Sequence, residues 1–149
     1  DEFLKHMVHI LTSVPGVGNV IAIEMIIVTN EFKNFQSAKK FPSYCGIAPF
    51  ENTSGISLRG KTKTSRLANR NIKPLLFMAA MSIIQREGEL KNYFNRKVAE
   101  GKPKMSVLNA VENKIIHRMF ACIRANRLYE HKIGIGPVIP IASKIEYPL

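Results

Sequence analysis

The chain has 149 residues, enough for one hydrophobic core or two small ones, and its 46% hydrophobic content places it among globular proteins, not disordered ones. A formal net charge of +11 points to a polyanionic partner. No apolar run is long enough to span a bilayer. Asp1, Glu2 and Lys5 stand where a signal peptide would be purely basic, so a cytoplasmic protein without a membrane role is expected.

Apolar residues recur at helical spacing over 2–12, through Phe3, Leu4, Met7, Val8, Ile10 and Leu11, and again over 19–29. Between them lies Val14-Pro15-Gly16-Val17-Gly18. A hydrophobic-Pro-Gly-hydrophobic-Gly hairpin between two helices resembles the helix-hairpin-helix motif of non-specific DNA-binding proteins. Glycines let the backbone turn tightly and come close to another molecule. The free N–H groups that open the next helix can then hold a phosphate oxygen. Such a contact positions a duplex without reading its sequence. The competing reading is a packing turn, since Pro-Gly is an ordinary turn signal.

Ser37 is placed to cap a short helix through residue 41, and 44–63 reads as irregular, with room for short strands. No acidic residue stands between Glu51 and Glu87. That interval holds Arg59, Lys61, Lys63, Arg66, Arg70, Lys73 and Arg86, with Gly55, Gly60 and several hydroxyl residues in its first half. A basic, hydroxyl-rich loop suits a phosphate backbone. It would otherwise be a solvated loop.

Asn71 precedes a helix that carries Pro74 in its first turn, where proline is tolerated. Over 75–84 this helix is apolar on nearly every face, which predicts burial at the centre of the domain. Another helix covers 90–99, and Gly101 and Pro103 end it. The last runs over 104–128, with Leu108, Val111, Ile115, Met119 and Cys122 as its core stripe. The Gly- and Pro-rich stretch 131–149 reads as an extended or disordered tail.

The fold class expected is therefore mainly α: a helix-hairpin-helix-containing helical domain with an irregular basic loop and a long C-terminal helix. Cys45 and Cys122 read as reduced core residues. The only aspartate is Asp1, the glutamates are scattered, and no His or Cys pair has zinc-ligand spacing, so no metal site is expected in this chain. His6, His9, His117 and His131 read as helix-surface or core-edge residues.

In this order the pieces resemble the C-terminal domain of the bridge-RNA-guided insertion-sequence transposases of the IS110/IS116 type. The resemblance runs over about 11–124 and is carried by Ser13 to Gly18; by Phe35, Ala38 and Lys39; and by Tyr44-Cys45-Gly46-Ile47-Ala48-Pro49. It continues through Ser54-Gly55, Lys63-Thr64-Ser65-Arg66, Asn69, the 75–80 helix, Tyr93-Phe94, Gly101-Lys102 and the final helix. It implies the end of a linker helix over 1–10, a DNA-binding and catalytic-serine domain over 11–130, and the tail over 131–149. It also implies a separate N-terminal domain with a carboxylate tetrad, where a divalent metal such as Mg is expected. In such a protein DNA, a guide RNA and further copies of the chain are the expected partners, and this chain alone holds no cofactor.

The resemblance makes Ser54 the nucleophile that attacks a DNA phosphodiester. Divided into two transfers, strand exchange conserves the bond energy in a covalent phosphoserine. The pentacoordinate phosphorus needs positive charge around it. The expected DNA contacts are Pro15, Gly16, Val17, Gly18, Gly55, Arg59, Lys61, Lys63, Arg66, Asn69, Arg70 and Lys73. Taken without the resemblance, Ser54-Gly55 is a turn pair. The chain departs from the family pattern at Ala68, where a glycine is common, and at Lys73, which lacks the bidentate fork of the usual arginine. Two alternatives stand beside the transposase reading: a non-catalytic helix-hairpin-helix nucleic-acid module, and a protein-interaction domain that uses its apolar helices.

Overall fold

Six helices form in the computed structural model, which describes residues 1–35, 37–47 and 71–130. They are α1 (Glu2–Thr12), α2 (Asn19–Val28), α3 (Phe41–Cys45), α4 (Ile72–Ile83), α5 (Glu89–Ala99) and α6 (Lys104–Ala125). Among the described residues there is no strand.

Helix α6 is the axis of the packing. It lies against α1, α4 and α5, while α2 packs on both α1 and α4. Its stripe of Val111, Ile115, Ile116, Met119 and Phe120 is buried, as its apolar spacing predicts. Met7, Ile10 and Leu11 of α1, Met25 of α2, and Ile72 and Leu76 of α4 close the same core.

The ends of the elements follow local chemistry. Asp1 caps α1, its side chain accepting a hydrogen bond from the Phe3 amide at 3.0 Å. Asn126, left-handed at φ 52°, stops α6, and its side-chain oxygen meets His6 Nε2 at 2.8 Å. The final helix therefore ends at Ala125, three residues earlier than the apolar pattern suggests. The short helix differs more: it starts at Phe41, where the sequence reading ends it. Pro42 fits its first turn, Phe41 is seated in the core, and left-handed Gly46 (φ 74°) terminates it.

Helix α4 departs from expectation in another way. Leu76, Ala79, Ala80 and Ile83 are buried, but Met78 is 65% and Met81 37% exposed. An all-apolar helix here buries one face, not every face. Asn71 stands before it without a capping side-chain hydrogen bond.

One segment runs against local preference. After α2, Asn30, Glu31 and Phe32 are successive left-handed residues, with φ of 49°, 58° and 63°. A left-handed L-residue costs about 1–2 kcal/mol, so this turn needs outside support. Thr29 Oγ1 donates to the Met25 carbonyl at 2.6 Å and accepts from the Phe32 amide at 2.9 Å. The Glu31 amide donates back to the Ile26 carbonyl at 2.8 Å. The Phe32 ring is buried edge-on against Phe120, with centroids 4.9 Å apart.

Candidate nucleic-acid interface

The hairpin between α1 and α2 is a tight, well-anchored turn. The Val14 amide donates to the Leu11 carbonyl at 3.1 Å, and the Val17 amide to the Val14 carbonyl at 3.0 Å. Val14 and Val17 point into the core, while Pro15 and Gly16 are half-buried. Gly16 is left-handed at φ +89°. A Cβ there would lie 3.3 Å from the Ala79 carbonyl oxygen of α4 and 3.5 Å from the Ile83 side chain. This glycine serves close packing as well as the turn. The Ser13 hydroxyl accepts a hydrogen bond from the Tyr129 amide at 2.8 Å, which ties the hairpin to the chain leaving α6.

Gly18 is different. Its backbone is extended, and nothing lies within 4 Å of the position a Cβ would take. It opens α2 without a side-chain cap, and Asn19 and Val20 beside it are exposed. The N-terminus of α2 is thus an open patch of backbone donors at the positive end of a helix. No basic residue lies in its first turn, so any anion held there would be held by the backbone.

Lys73 is the other candidate contact within the described residues. It is exposed in the first turn of α4, while the hairpin packs on Ala79 and Ile83 of that helix. At 1.5 Å per residue the two lie about 9–15 Å apart along the axis. Ser54, Gly55, Arg59, Lys61, Lys63, Arg66, Asn69 and Arg70 lie outside the described residues, as does the 131–149 tail.

Lys73 acts electrostatically on a buried pair. Glu112, in the middle of α6, is 2% exposed, and its carboxyl is pushed up to about 7 by burial, with the Lys73 charge working in the opposite direction. Cys45, at the end of α3, is pushed up to about 12. Burial is the main cause, and the Glu112 charge adds to it. The Cys45 thiol donates to the Phe41 carbonyl at 3.2 Å. Both cysteines are free and buried, as the sequence implies, and burial also raises Cys122. Protonated thiols of this kind are inert.

Sequence reasoning passed over a second basic surface. The Tyr93 ring of α5 has Lys114 Nζ at 4.5 Å, the Arg96 guanidinium carbon at 5.7 Å and Lys97 Nζ at 6.0 Å from its centroid. One turn along α6, His117 is held below its ordinary value by partial burial, then by the charges of Lys114 and Lys39. The residues of this cluster come from two helices separate in the chain, α5 and α6, and no local motif announces it. Among the described residues no helix is long and apolar enough to cross a membrane.

Comparison with known proteins places the chain. Over 131 residues it is 28% identical to the "Pilin gene-inverting protein" of Moraxella bovis, covering 87% of this chain and 41% of that protein. Over 127 residues it is 30% identical to the "Insertion element IS110 uncharacterized 43.6 kDa protein" of Streptomyces coelicolor, covering 85% of this chain and 31% of the other. An insertion element IS116 protein of Streptomyces clavuligerus is 26% identical over 120 residues, covering 80% of this chain and 30% of its own length. The chain thus spans about 30–41% of the length of these relatives. Residues 8–95, which run from α1 through the hairpin and the acid-free basic interval into α5, match the family described as Transposase IS116/IS110/IS902, and the chain belongs to that family.

Proposed function

We propose that this chain is the DNA-binding, serine-bearing part of a transposase or recombinase, and that other parts of the protein complete its active site. Family membership is the observation that carries the reading, because the matched residues include both the hairpin and Ser54. One relative is named for inverting a pilin gene, a recombination of DNA.

In this reading the open N-terminus of α2 takes a backbone phosphate, and Pro15 to Gly18 set its position. The basic residues from Arg59 to Lys73 neutralise neighbouring phosphates. Ser54 Oγ attacks phosphorus. A new O–P bond forms, the bond to a deoxyribose oxygen breaks, and that oxygen leaves with a proton. The second transfer reverses the exchange on a new strand.

The base and the divalent metal, expected to be Mg, belong to the N-terminal carboxylate domain of the full-length protein. Among the described residues no group of three or more His, Cys, Asp or Glu is placed to hold a metal. A guide RNA selects the target, copies of the protein assemble at the paired DNA ends, and the reaction runs in the cytoplasm on nucleoid DNA.

The test is Ser54→Ala in the full-length protein. Strand exchange should vanish while DNA binding persists. Full strand exchange in that variant would eliminate the serine's role and leave a non-catalytic nucleic-acid module, whose binding would be lost on disrupting Gly16 and Gly18 and indifferent to Ser54.

A further inference from the structure

The Tyr93 cluster is a concentration of positive charge that the described residues neutralise only in part. Lys97 pairs with Glu100 at 3.2 Å and Arg118 with Glu89 at 3.1 Å. Lys39, Arg96 and Lys114 have no acidic partner among the described residues. Arg96 of α5 and Lys114 of α6 converge on Tyr93, and the charge of Lys39, from the segment before α3, is felt at His117 one turn along α6. Holding like charges together costs free energy that a polyanion recovers.

The tyrosine explains the arrangement. Its half-buried ring faces the Lys114 ammonium at 4.5 Å, close enough for a cation–π attraction. With that cation on the ring, a nucleobase stacks there only by displacing it. The ring therefore holds charges in place and does not read bases. Ordered cations drawn from two elements suit a regular row of phosphates.

We propose that the α5–α6 face, centred on Tyr93, Arg96 and Lys114, is a second nucleic-acid contact that grips the phosphodiester backbone of a duplex. It adds to the hairpin contact and rests on the reading that this chain binds nucleic acid. Tyr93 is a positioning residue that orients the cations.

The test uses the 149-residue chain and fluorescence anisotropy. The probes are a random-sequence DNA duplex and an RNA duplex of the same sequence, each titrated over a range of salt. Combining Arg96→Gln with Lys114→Gln should reduce the slope of log affinity against log salt by about two, one for each phosphate no longer neutralised. Lys5→Gln, which removes a cation already paired with Glu2, should leave the slope unchanged. Tyr93→Leu should keep the slope and weaken binding about two- to five-fold, the size of one exposed cation–π contact. Comparing the DNA and RNA probes shows which duplex this face prefers.

An unchanged slope in the Gln double variant, with folding confirmed by circular dichroism, would overturn the proposal. So would poly-glutamate competing as well as DNA, which would mark an acidic-peptide surface. If the unaltered chain binds neither duplex at low salt, the nucleic-acid reading falls as a whole. If it binds and only the α5–α6 variants are silent, this second contact alone falls.

Discussion

Replacing Glu112 with glutamine should stabilise the protein, and the gain should depend on pH. The carboxyl is 2% exposed, and burial raises it from 4.5 to about 7. Among the described residues it has neither a hydrogen bond nor an ion pair; Lys73 acts on it only through its charge. The fold therefore favours the protonated form. Stability from this group is fully present below pH 4.5 and is lost as pH rises towards 7. At roughly 1.4 kcal/mol per tenfold change in a protonation equilibrium, the loss is at most about 3 kcal/mol, and screening by nearby water brings it to about 1–3 kcal/mol. Glutamine keeps the shape and does not titrate. Urea unfolding followed by circular dichroism, at pH 4.5 and pH 8, measures the difference between variant and parent. His117, held low in the fold, has the opposite sign, its stability being lost as pH falls below its ordinary 6.5. It cancels in the comparison because both proteins carry it. The difference should be near zero at pH 4.5 and favour glutamine by about 1–3 kcal/mol at pH 8. An equal change at both pH values, or a less stable variant at pH 8, would refute the reasoning.

Gly16→Ala should cost about 1–3 kcal/mol, since it forces a left-handed alanine against the Ala79 carbonyl; thermal melting checks this. Gly18→Ala, which faces open space, should leave the melting temperature nearly unchanged, so that any loss in DNA affinity reports on the contact itself. Thr29→Val should cost about 1–3 kcal/mol by urea unfolding, because it strips both hydroxyl hydrogen bonds from a buried turn. Cys45 should resist iodoacetamide at pH 8 in the native protein and react once urea exposes it, as peptide mass spectrometry would show.

Much of the architecture is legible in the chain itself. Apolar periodicity locates five of the helices, and Pro15-Gly16 with Gly18 locates the turn between the first two. Local signals are less informative where tertiary packing decides. Nothing near Ser37 indicates that the short helix waits for Phe41 to reach the core. The composition of α4 shows how apolar it is but not which side stays uncovered, and Met78 marks that side. Glu112 looks like an ordinary polar position in a helix until α3 and α4 close over it. Likewise Arg96 and Lys114 carry no shared pattern, because they become neighbours around Tyr93 only when α6 packs on α5. The proposed catalytic serine rests on family resemblance, since Ser54 lies outside the described residues.

The left-handed turn after α2 also bears on the order of events during folding. Asn30, Glu31 and Phe32 disfavour that geometry on their own, and their ring anchor, Phe120, lies near the far end of the chain. A ribosome delivers residue 32 well before residue 120, so while the chain is being made the turn has only its local Thr29 and Ile26 hydrogen bonds and not its ring anchor. The Phe32 ring is thus expected to seat only once α6 has docked. Weakening Thr29 or Phe32 should therefore accelerate unfolding more than it slows folding.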